Sequence, residues 1–378
     1  MEAEKVYLRT TERRSFANCR QQWWWSFVLG WEAIKTKPAL RFGDIAHQSL
    51  AAWYIPGRKR GEKPWLAFER IYKEQIAAGQ YEFDVFDSDD EKAVDALELG
   101  MAMMRNYVAH YGDDSHIRVI APEMTFQVNI YDDDGNYLFT YVGSLDLVYE
   151  DMAKKQLGVI ETKTAASISL RHLGLDEQAG SYWAFAGEFL RSLGILKPKQ
   201  DIHFILYNFL RKGFADDRPL DAEGYRLNKP SKEALFERAT TLGLELPKKP
   251  TVDDLVFALE MEGEQPALLG ERSKKQPPPL FVRQTVYRDE ADRESIMRRI
   301  KAQAREMAMV KRGELEVWKN PGGTYPNQQC TGCEFADVCE LHETGRDWEE
   351  LARLTMGTWD PYEDHRPVPV KVQPRRKK

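Results

Sequence analysis

Val142-Gly143-Ser144-Leu145-Asp146-Leu147-Val148, followed a short polar stretch later by Val159-Ile160-Glu161-Thr162-Lys163-Thr164, is the part of the chain that decides its fold. Both runs alternate with period two and are rich in Val, Ile and Leu, so both read as β-strands. The polar residues from Glu150 to Gln156 form a connection short enough for an antiparallel hairpin. Side chains alternate between the faces of a strand, so Val142, Ser144, Asp146 and Val148 share one face, and Val159, Glu161 and Lys163 share another. If those faces coincide, two carboxylates and an ammonium group converge. Burying such charges costs several kcal/mol unless they have partners. A divalent metal is the partner that two carboxylates suit best, which suggests metal-assisted phosphodiester hydrolysis. The alternative is a surface hairpin carrying an ordinary Glu/Lys pair.

With 378 residues, 42% of them hydrophobic, and 10 Trp, 16 Tyr and 17 Phe, the chain has material for a sizeable core and length for two domains. Its net charge of −6 does not announce a nucleic-acid partner, so any such partner must be met by a local basic surface. Candidates are Arg58-Lys59-Arg60, Arg272-Ser273-Lys274-Lys275, Arg298-Arg299 with Lys301, and Arg375-Arg376-Lys377-Lys378; each reads equally well as a solvated face or a free end. The longest uncharged apolar run, Trp23 to Trp31, is too short to span a bilayer. Met1-Glu2-Ala3-Glu4-Lys5 lacks a signal-peptide shape, so a soluble, cytoplasmic protein with no membrane partner is expected.

Of four cysteines, Cys19 stands near the start, while Cys330, Cys333 and Cys339 form C-x2-C-x5-C near the end. Two disulfides are the arithmetic alternative, but such pairs seldom persist in a reducing compartment. Four thiolates suit tetrahedral zinc or an iron–sulfur cluster. Zinc sites of four cysteines usually draw two close C-x2-C pairs, and the remote Cys19 with a C-x5-C step leans towards the cluster. Trp23-Trp24-Trp25, Phe27 and Phe335 would supply dry surroundings. Four unrelated buried thiols remain the simpler alternative.

Around the hairpin the sequence predicts a helix from Thr11 to Trp31 carrying Cys19, and another from Asp44 to Tyr54, opened by Gly43 and closed by Pro56-Gly57. On the second, His47, Leu50, Ala51 and Tyr54 share a face, so His47 points inward as a core residue or a ligand. Helices follow over Pro64–Gly79 and Asp90–Tyr111, then strands over Glu123–Tyr131, Tyr137–Tyr149 and Gly158–Thr164. A helix from Leu175 to Leu193 places Gln178, Tyr182, Phe185 and Phe189 on one face, and His203–Leu210 is a strongly apolar strand. Pro, Gly and charge dominate residues 214–279, read as an inserted, partly helical subdomain between a 1–213 region and a 280–345 completion of the core. The completion contains a strand, Phe281–Tyr287, a basic amphipathic helix, Arg288–Arg312, and the cysteine triplet. Residues 346–378 read as a basic tail, with Pro367, Pro369 and Pro374 favouring disorder.

A strand-borne Asp146, then Glu161-Thr162-Lys163 on the next strand, then Gln178 and Tyr182 on the following helix, resembles the RecB-like branch of the PD-(D/E)XK nucleases. Gly43-Asp44-Ile45-Ala46-His47 is similar to that branch's G-x-x-x-H helix. One N-terminal and three C-terminal cysteines enclosing the core resemble its iron–sulfur members, which include CRISPR-adaptation exonucleases, the AddB nuclease domain and free-standing phage relatives. The resemblance runs from about Thr11 to Glu340, excluding the insertion. Two departures stand out: Arg20 and Glu340 follow Cys19 and Cys339 where many relatives have proline, and no Gly-Lys dipeptide exists to build a P-loop, so an ATP-driven helicase within this chain is not expected.

The resemblance implies an α/β fold: a restriction-endonuclease-like core, with a central mixed β-sheet flanked by helices, a helical N-terminal region, the inserted subdomain and a C-terminal cluster-binding segment. It implies that His47, Asp146, Glu161 and the Thr162 carbonyl hold Mn2+ or Mg2+, the imidazole favouring Mn2+. Asp146, Glu161, Lys163, Gln178 and Tyr182 become the catalytic set, with Lys163 orienting a water and Gln178 and Tyr182 placing the phosphate. Glu123 is either a supporting carboxylate or a surface one. Cys19, Cys330, Cys333 and Cys339 would hold a structural [4Fe-4S] cluster. The expected substrate is DNA with single-stranded ends, cut as an exonuclease, with the aromatic helix around Trp23 and the helix Arg288–Arg312 as possible strand contacts. A helicase or recombination protein is the implied partner. The rival readings are a catalytically silent DNA-binding subunit and a zinc or iron protein with no DNA role.

Overall fold

The computed structural model describes residues 5–34, 38–78, 85–87, 93–323 and 329–363. The chain divides into two compact units, Met1–Lys212 with Phe281–Lys378, and Gly213–Leu280.

The first unit opens with strand β1 (Tyr7–Arg9), which runs directly into helix α1 (Thr10–Asn18). The helix expected through Trp31 breaks at Cys19, whose backbone is extended (φ −159°, ψ 116°). It resumes as α2 (Arg20–Trp23), passes into a π-helical turn, Trp24–Val28, and ends before strand β2 (Trp31–Ala33). Packing accounts for the irregularity: Trp23 belongs to the main core, whereas Trp25 belongs to a separate cluster with Phe335, Val338 and Ala352. Trp23 and Trp25 are both buried, so neither ring is presented for base stacking.

Helices α3 (Pro38–Trp53), α4 (Pro64–Ala77) and α5 (Ala96–Tyr111) pack on one another. Between α4 and α5 in sequence come strands β3 (Val85–Asp87) and β4 (Ala93–Asp95), so residues 93–95 are strand where the sequence predicts helix. Gly100 makes the α4–α5 packing possible, since a Cβ there would fall 2.1 Å from the Phe68 ring.

Three antiparallel strands follow, β5 (Ile117–Tyr131), β6 (Tyr137–Asp151) and β7 (Gln156–Ala165). Helix α6 (Glu177–Ser192) then leads to β8 (Phe204–Arg211), which pairs in parallel with β7. The second unit intervenes, with α7 (Lys232–Thr241) and α8 (Val252–Met261) packed through Leu235, Ala239, Leu255 and Leu259. Strand β9 (Phe281–Tyr287) pairs antiparallel with β8, and α9 (Glu290–Lys311), α10 (Ala336–Glu343), α11 (Trp348–Thr355) and β10 (Met356–Thr358) complete the chain.

The result is a six-stranded mixed sheet in the order β1-β6-β7-β8-β9, with β5 on the other edge of β6. This is the α/β core with a central mixed sheet flanked by helices that the sequence predicts. One edge of β6 is shared: β1 occupies it from Thr140 to Val142, and β7 from Leu147 to Asp151. Residues 143–146 lie in the gap between those two partners.

The first and last described segments of the chain pack on each other. Strand β10 pairs antiparallel with β2, Trp359 Nε1 donates to the Ser26 carbonyl (3.0 Å), and Arg9 donates to the Pro361 carbonyl (2.6 Å). The Tyr362 hydroxyl donates to the carboxylate of Glu12, which is wholly buried and also accepts from Trp23 Nε1 (3.1 Å). These contacts correct the expectation of a disordered tail from residue 346: α11, β10 and the residues to Glu363 are ordered because they pack on the Trp25 cluster and pair with β2. The rest of that tail, residues 364–378, lies outside the described residues. Among the described residues no helix is long and apolar enough to cross a membrane.

Beneath α3 and α5, the Arg283 guanidinium on β9 donates to both oxygens of Asp114 (2.8 and 2.7 Å), to the Tyr54 and Tyr107 hydroxyls (3.1 and 2.7 Å), and to Asn208 Oδ1 (3.2 Å). Its central carbon, Cζ, also lies over the Tyr111 ring, 3.6 Å from the centroid. A charge taken out of water is tolerable only when paired in this way. Asp114→Asn keeps the side-chain shape, and asparagine accepts the φ of 45° found there, but it leaves the guanidinium without a counter-charge. We expect the unfolding free energy from urea titration to fall by about 3–5 kcal/mol; an unchanged midpoint would show that the pair does not hold these elements together.

Candidate active site

The β6–β7 ladder ends at Leu147 opposite Ile160, and the next residues in the same register are Asp146 and Glu161. On the other side of β6, Pro122 faces Leu147 and Met124 faces Leu145, so Glu123 falls opposite Asp146. Three carboxylates on three adjacent strands therefore occupy one row. Like charges in cross-strand positions repel, and Glu123 has left ordinary strand geometry, with a φ of 37°.

The protein's own donors answer this charge. The Thr162 amide donates to Asp146 Oδ2 (2.7 Å), filling the bond left open where the ladder ends. His47 Nδ1 lies 3.3 Å from the same oxygen. Lys163 Nζ donates to Glu161 Oε1 (2.5 Å) and to Gln178 Oε1 (3.2 Å). Glu161 and Thr162 are buried, while the His47 and Asp146 side chains retain 25% and 20% exposure, enough to be reached from outside.

Two helices deliver these groups for identifiable local reasons. On α3, a Cβ at Gly43 would lie 3.3 Å from Thr164 Oγ1, so glycine stands where the helix comes down on β7, and His47 follows one turn later. On α6, the Asp176 side chain caps the helix by accepting from the Gln178 amide (2.9 Å), which fixes the turn that presents Gln178 to Lys163. Tyr182, one turn on, seats against Gly143, where a Cβ would come within 2.5 Å of its ring, and packs edge-on to Phe126. From there it lies within electrostatic reach of Glu161 and Asp146.

The titrating groups register the crowding. Burial, then Asp146, pushes the Glu161 carboxyl up to about 7 against the opposing pull of Lys163. Burial pushes His47 down, but the charge and hydrogen bond of Asp146, with Glu161 behind them, push it further up, to about 9. Burial raises Glu123 as well, with Asp146 and Asp44 adding to the shift and His47 opposing it. His47, Tyr54, Glu123, Asp146, Thr162 and Asn208 line a small cavity of about 20 Å3, room for about one water. Among the described residues no group of three or more His, Cys, Asp or Glu side chains is arranged to hold a metal ion. The carboxylates are turned onto Lys163, His47 and the Thr162 amide instead. The donor set still fits a divalent cation, because it combines two carboxylates and an imidazole with more negative charge than the burial tolerates.

The cysteines come from both ends of the chain. Cys19 sits at the break between α1 and α2, Cys330 and Cys333 in a turn, and Cys339 in α10. All four are free, and burial raises the Cys333 thiol and carries that of Cys339 to about 11. Each of these two thiols is also raised by the charges of the other cysteines near it, Cys19 and Cys330 among them.

Comparison with protein families matches residues 10–340 to the PD-(D/E)XK nuclease superfamily. The chain belongs to that superfamily. No curated protein matches it. PD-(D/E)XK nucleases use divalent metals such as Mg2+ or Mn2+, and their substrate is DNA. In this PD-(D/E)XK chain, Asp146 occupies the strand gap, and the Glu161-Thr162-Lys163 run sits where β7 has lost β6 but keeps β8.

Sequence reasoning missed what surrounds the set. It left Glu123 undecided, although the residue lies opposite Asp146. It also passed over Asn208, whose Nδ2 donates to Thr162 Oγ1 (3.4 Å) and to the Tyr107 hydroxyl (3.2 Å), linking the site to the Arg283 network. The one available signal was a polar residue inside the apolar run His203–Leu210.

The shifts fix a pH dependence. His47 is raised from 6.5 and Glu161 from 4.5, so the folded state holds both protons more tightly than the unfolded chain. Their stabilisation is complete below the unfolded values, and is lost as pH rises through about 7 for Glu161 and about 9 for His47. Chelator-treated protein should therefore lose thermal stability as pH rises over that window, with a flatter profile in Asp146→Asn. Added Mn2+ should raise Tm more at the alkaline end, since the ligands must shed protons to bind it. Parallel profiles for wild type and Asp146→Asn would disprove the assignment.

Proposed function

We propose that this chain is a divalent-metal-dependent deoxyribonuclease that degrades DNA from a free single-stranded end, acting as an exonuclease. The observation that carries the reading is the meeting of Asp146, Glu161 and Lys163 at the end of the β6–β7 ladder, with His47 from α3 and Gln178 from α6 against them. Asp146, Glu161, the Thr162 carbonyl and His47 would hold the ion, which when bound neutralises charge on the scissile phosphate and acidifies a water. Lys163, steadied between Glu161 and Gln178, places a fixed positive charge where negative charge develops. Gln178 and Tyr182 hold the phosphate in line, and Glu123 adds a further carboxylate beside His47 and Asp146 from β5. Single-stranded ends are what strand separation produces, so a helicase or recombination protein is the partner this activity implies.

Hydrolysis of linear single-stranded DNA should require Mn2+ or Mg2+. Asp146→Ala, Glu161→Ala and Lys163→Ala should each lower the rate by at least about 10²-fold. Wild-type activity in Lys163→Ala would remove the basis for the site. Covalently closed single-stranded circles should resist digestion that consumes the linear strand; equal rates on both would replace exonuclease with endonuclease action.

The same proposal includes a structural [4Fe-4S] cluster on Cys19, Cys330, Cys333 and Cys339. It is supported by the spacing, by the mutual electrostatic influence of the thiols, and by the packing of Cys333 and Cys339 against Trp25, Phe335 and Val338. Protein purified without oxygen should be brown and contain about four irons per chain. One zinc and no iron after anaerobic reconstitution would overturn the cluster.

A further inference from the structure

A groove of about 540 Å3 runs between α1 and α9, lined by Thr10, Arg13, Arg14, Glu177, Arg299 and Gln303, with the small side chains of Ala17 and Ala302 giving it depth. Its floor is fixed. Arg13 is only 4% exposed and donates through Nε to Gln303 Oε1 (2.8 Å), through Nη1 to Ser181 Oγ (3.2 Å) and through Nη2 to Glu177 Oε2 (3.1 Å).

The floor of the groove is bonded to the elements that carry the nuclease site: Arg13 Nη1 reaches the Tyr141 hydroxyl on β6 (3.4 Å) as well as Ser181 Oγ on α6. Glu177 precedes Gln178, which holds Lys163, and Thr10 follows Arg9, which pairs with Val142 on the strand that carries Asp146. The groove also reaches Asn18, next to Cys19.

The charge along it is unequal. Glu177 is shared by Arg13 and Arg299 (3.1 and 3.2 Å), and Glu306 is paired with Arg20. The side chains of Arg14 and Arg305 have no hydrogen bond or ion pair among the described residues. Arg298 and Arg305, both exposed, stand four residues before and three after the groove-lining Ala302, so they neighbour it on the surface of α9 without themselves lining the groove. Arg298 is 73% exposed, with only a 4.0 Å contact to Glu294. Uncompensated guanidiniums along a polar groove, in a chain of net charge −6, select a ligand with regularly spaced negative charge and little apolar surface.

We propose that this groove carries the phosphate backbone of a single DNA strand into the nuclease site, with Arg14, Arg298 and Arg305 as its phosphate contacts. The inference rests on the nuclease reading of the site. A single strand can lie between two helices, whereas a duplex spreads its phosphates over two strands and would meet the rim alone. Contacts of this type are independent of sequence and position the strand relative to the carboxylates.

The test is fluorescence anisotropy of a labelled single-stranded oligonucleotide bound to Asp146→Asn protein across a salt series. Arg14→Gln and Arg305→Gln should each reduce the slope of log K against log salt by about 0.7, and the double variant by about 1.4. The loss should be equal on oligo-dT and oligo-dA, and Arg58→Gln, an exposed arginine away from the groove, should leave the slope unchanged. With Asp146 restored, both groove variants should raise KM for linear single strands and leave kcat at saturation unchanged. Unaltered slopes in the double variant, or an equal loss in Arg58→Gln, would overturn the groove. Absence of metal-dependent hydrolysis by the wild-type protein would instead overturn the nuclease reading, so the two failures are distinguishable.

Discussion

Repulsion between carboxylates on adjacent strands is the constraint around which the candidate site is organised. Glu123, Asp146 and Glu161 fall in one row across β5, β6 and β7, an arrangement a sheet does not tolerate without compensation. Most of the local detail follows from it: the departure of Glu123 from strand geometry, the Thr162 amide turned to Asp146, the close Lys163–Glu161 contact, and the tightly held proton on His47. A site poised in this way holds its negative charge with borrowed protons and one lysine, and a divalent ion would take over the part those groups now play.

Backbone topology makes such crowding possible. Because β1 and β7 share one edge of β6 without filling it, residues 143–146 are released from the ladder at the point where a carboxylate has to turn. Helices α3 and α6 reach that gap through two glycines with steric reasons to be glycine: Gly43 at the approach to Thr164, and Gly143 under the Tyr182 ring. Below them, the Arg283–Asp114 pair ties α3, α5, β8 and β9 together through Tyr54, Tyr107 and Asn208. Asn208 joins that network to the site through Thr162 Oγ1.

The sheet was legible because its strands are long and strongly alternating; β6, β7, β8 and β9 fall within a residue or two of where periodicity puts them. The facing of Asp146, Glu161 and Lys163 was legible for the same reason, as period two fixes which side chains share a face. What periodicity could not carry was long-range pairing. The break at Cys19 follows from two tryptophans being claimed by different clusters, and no local signal encodes that. The order of residues 346–363 depends on β2, more than 300 positions away, so composition alone pointed to disorder. Glu123 was ambiguous because its importance comes from the register of β5 on β6, which a strand read by itself does not contain.

The pairing of the first described segment with residues 356–362 has a consequence for how the protein is made. Glu12 finds its Tyr362 partner across 350 residues, and Arg9 its Pro361 carbonyl across 352. During synthesis the first helices emerge long before the segment that completes their surroundings, and at translation rates of about 5–20 residues per second that interval lasts tens of seconds. Until that segment is made, the Glu12 carboxylate and the face of Trp25 that packs on Phe335 lack the partners they have in the folded chain. The thiols of Cys19 and Cys339 likewise can approach each other only after the whole of the nuclease core between them has been made.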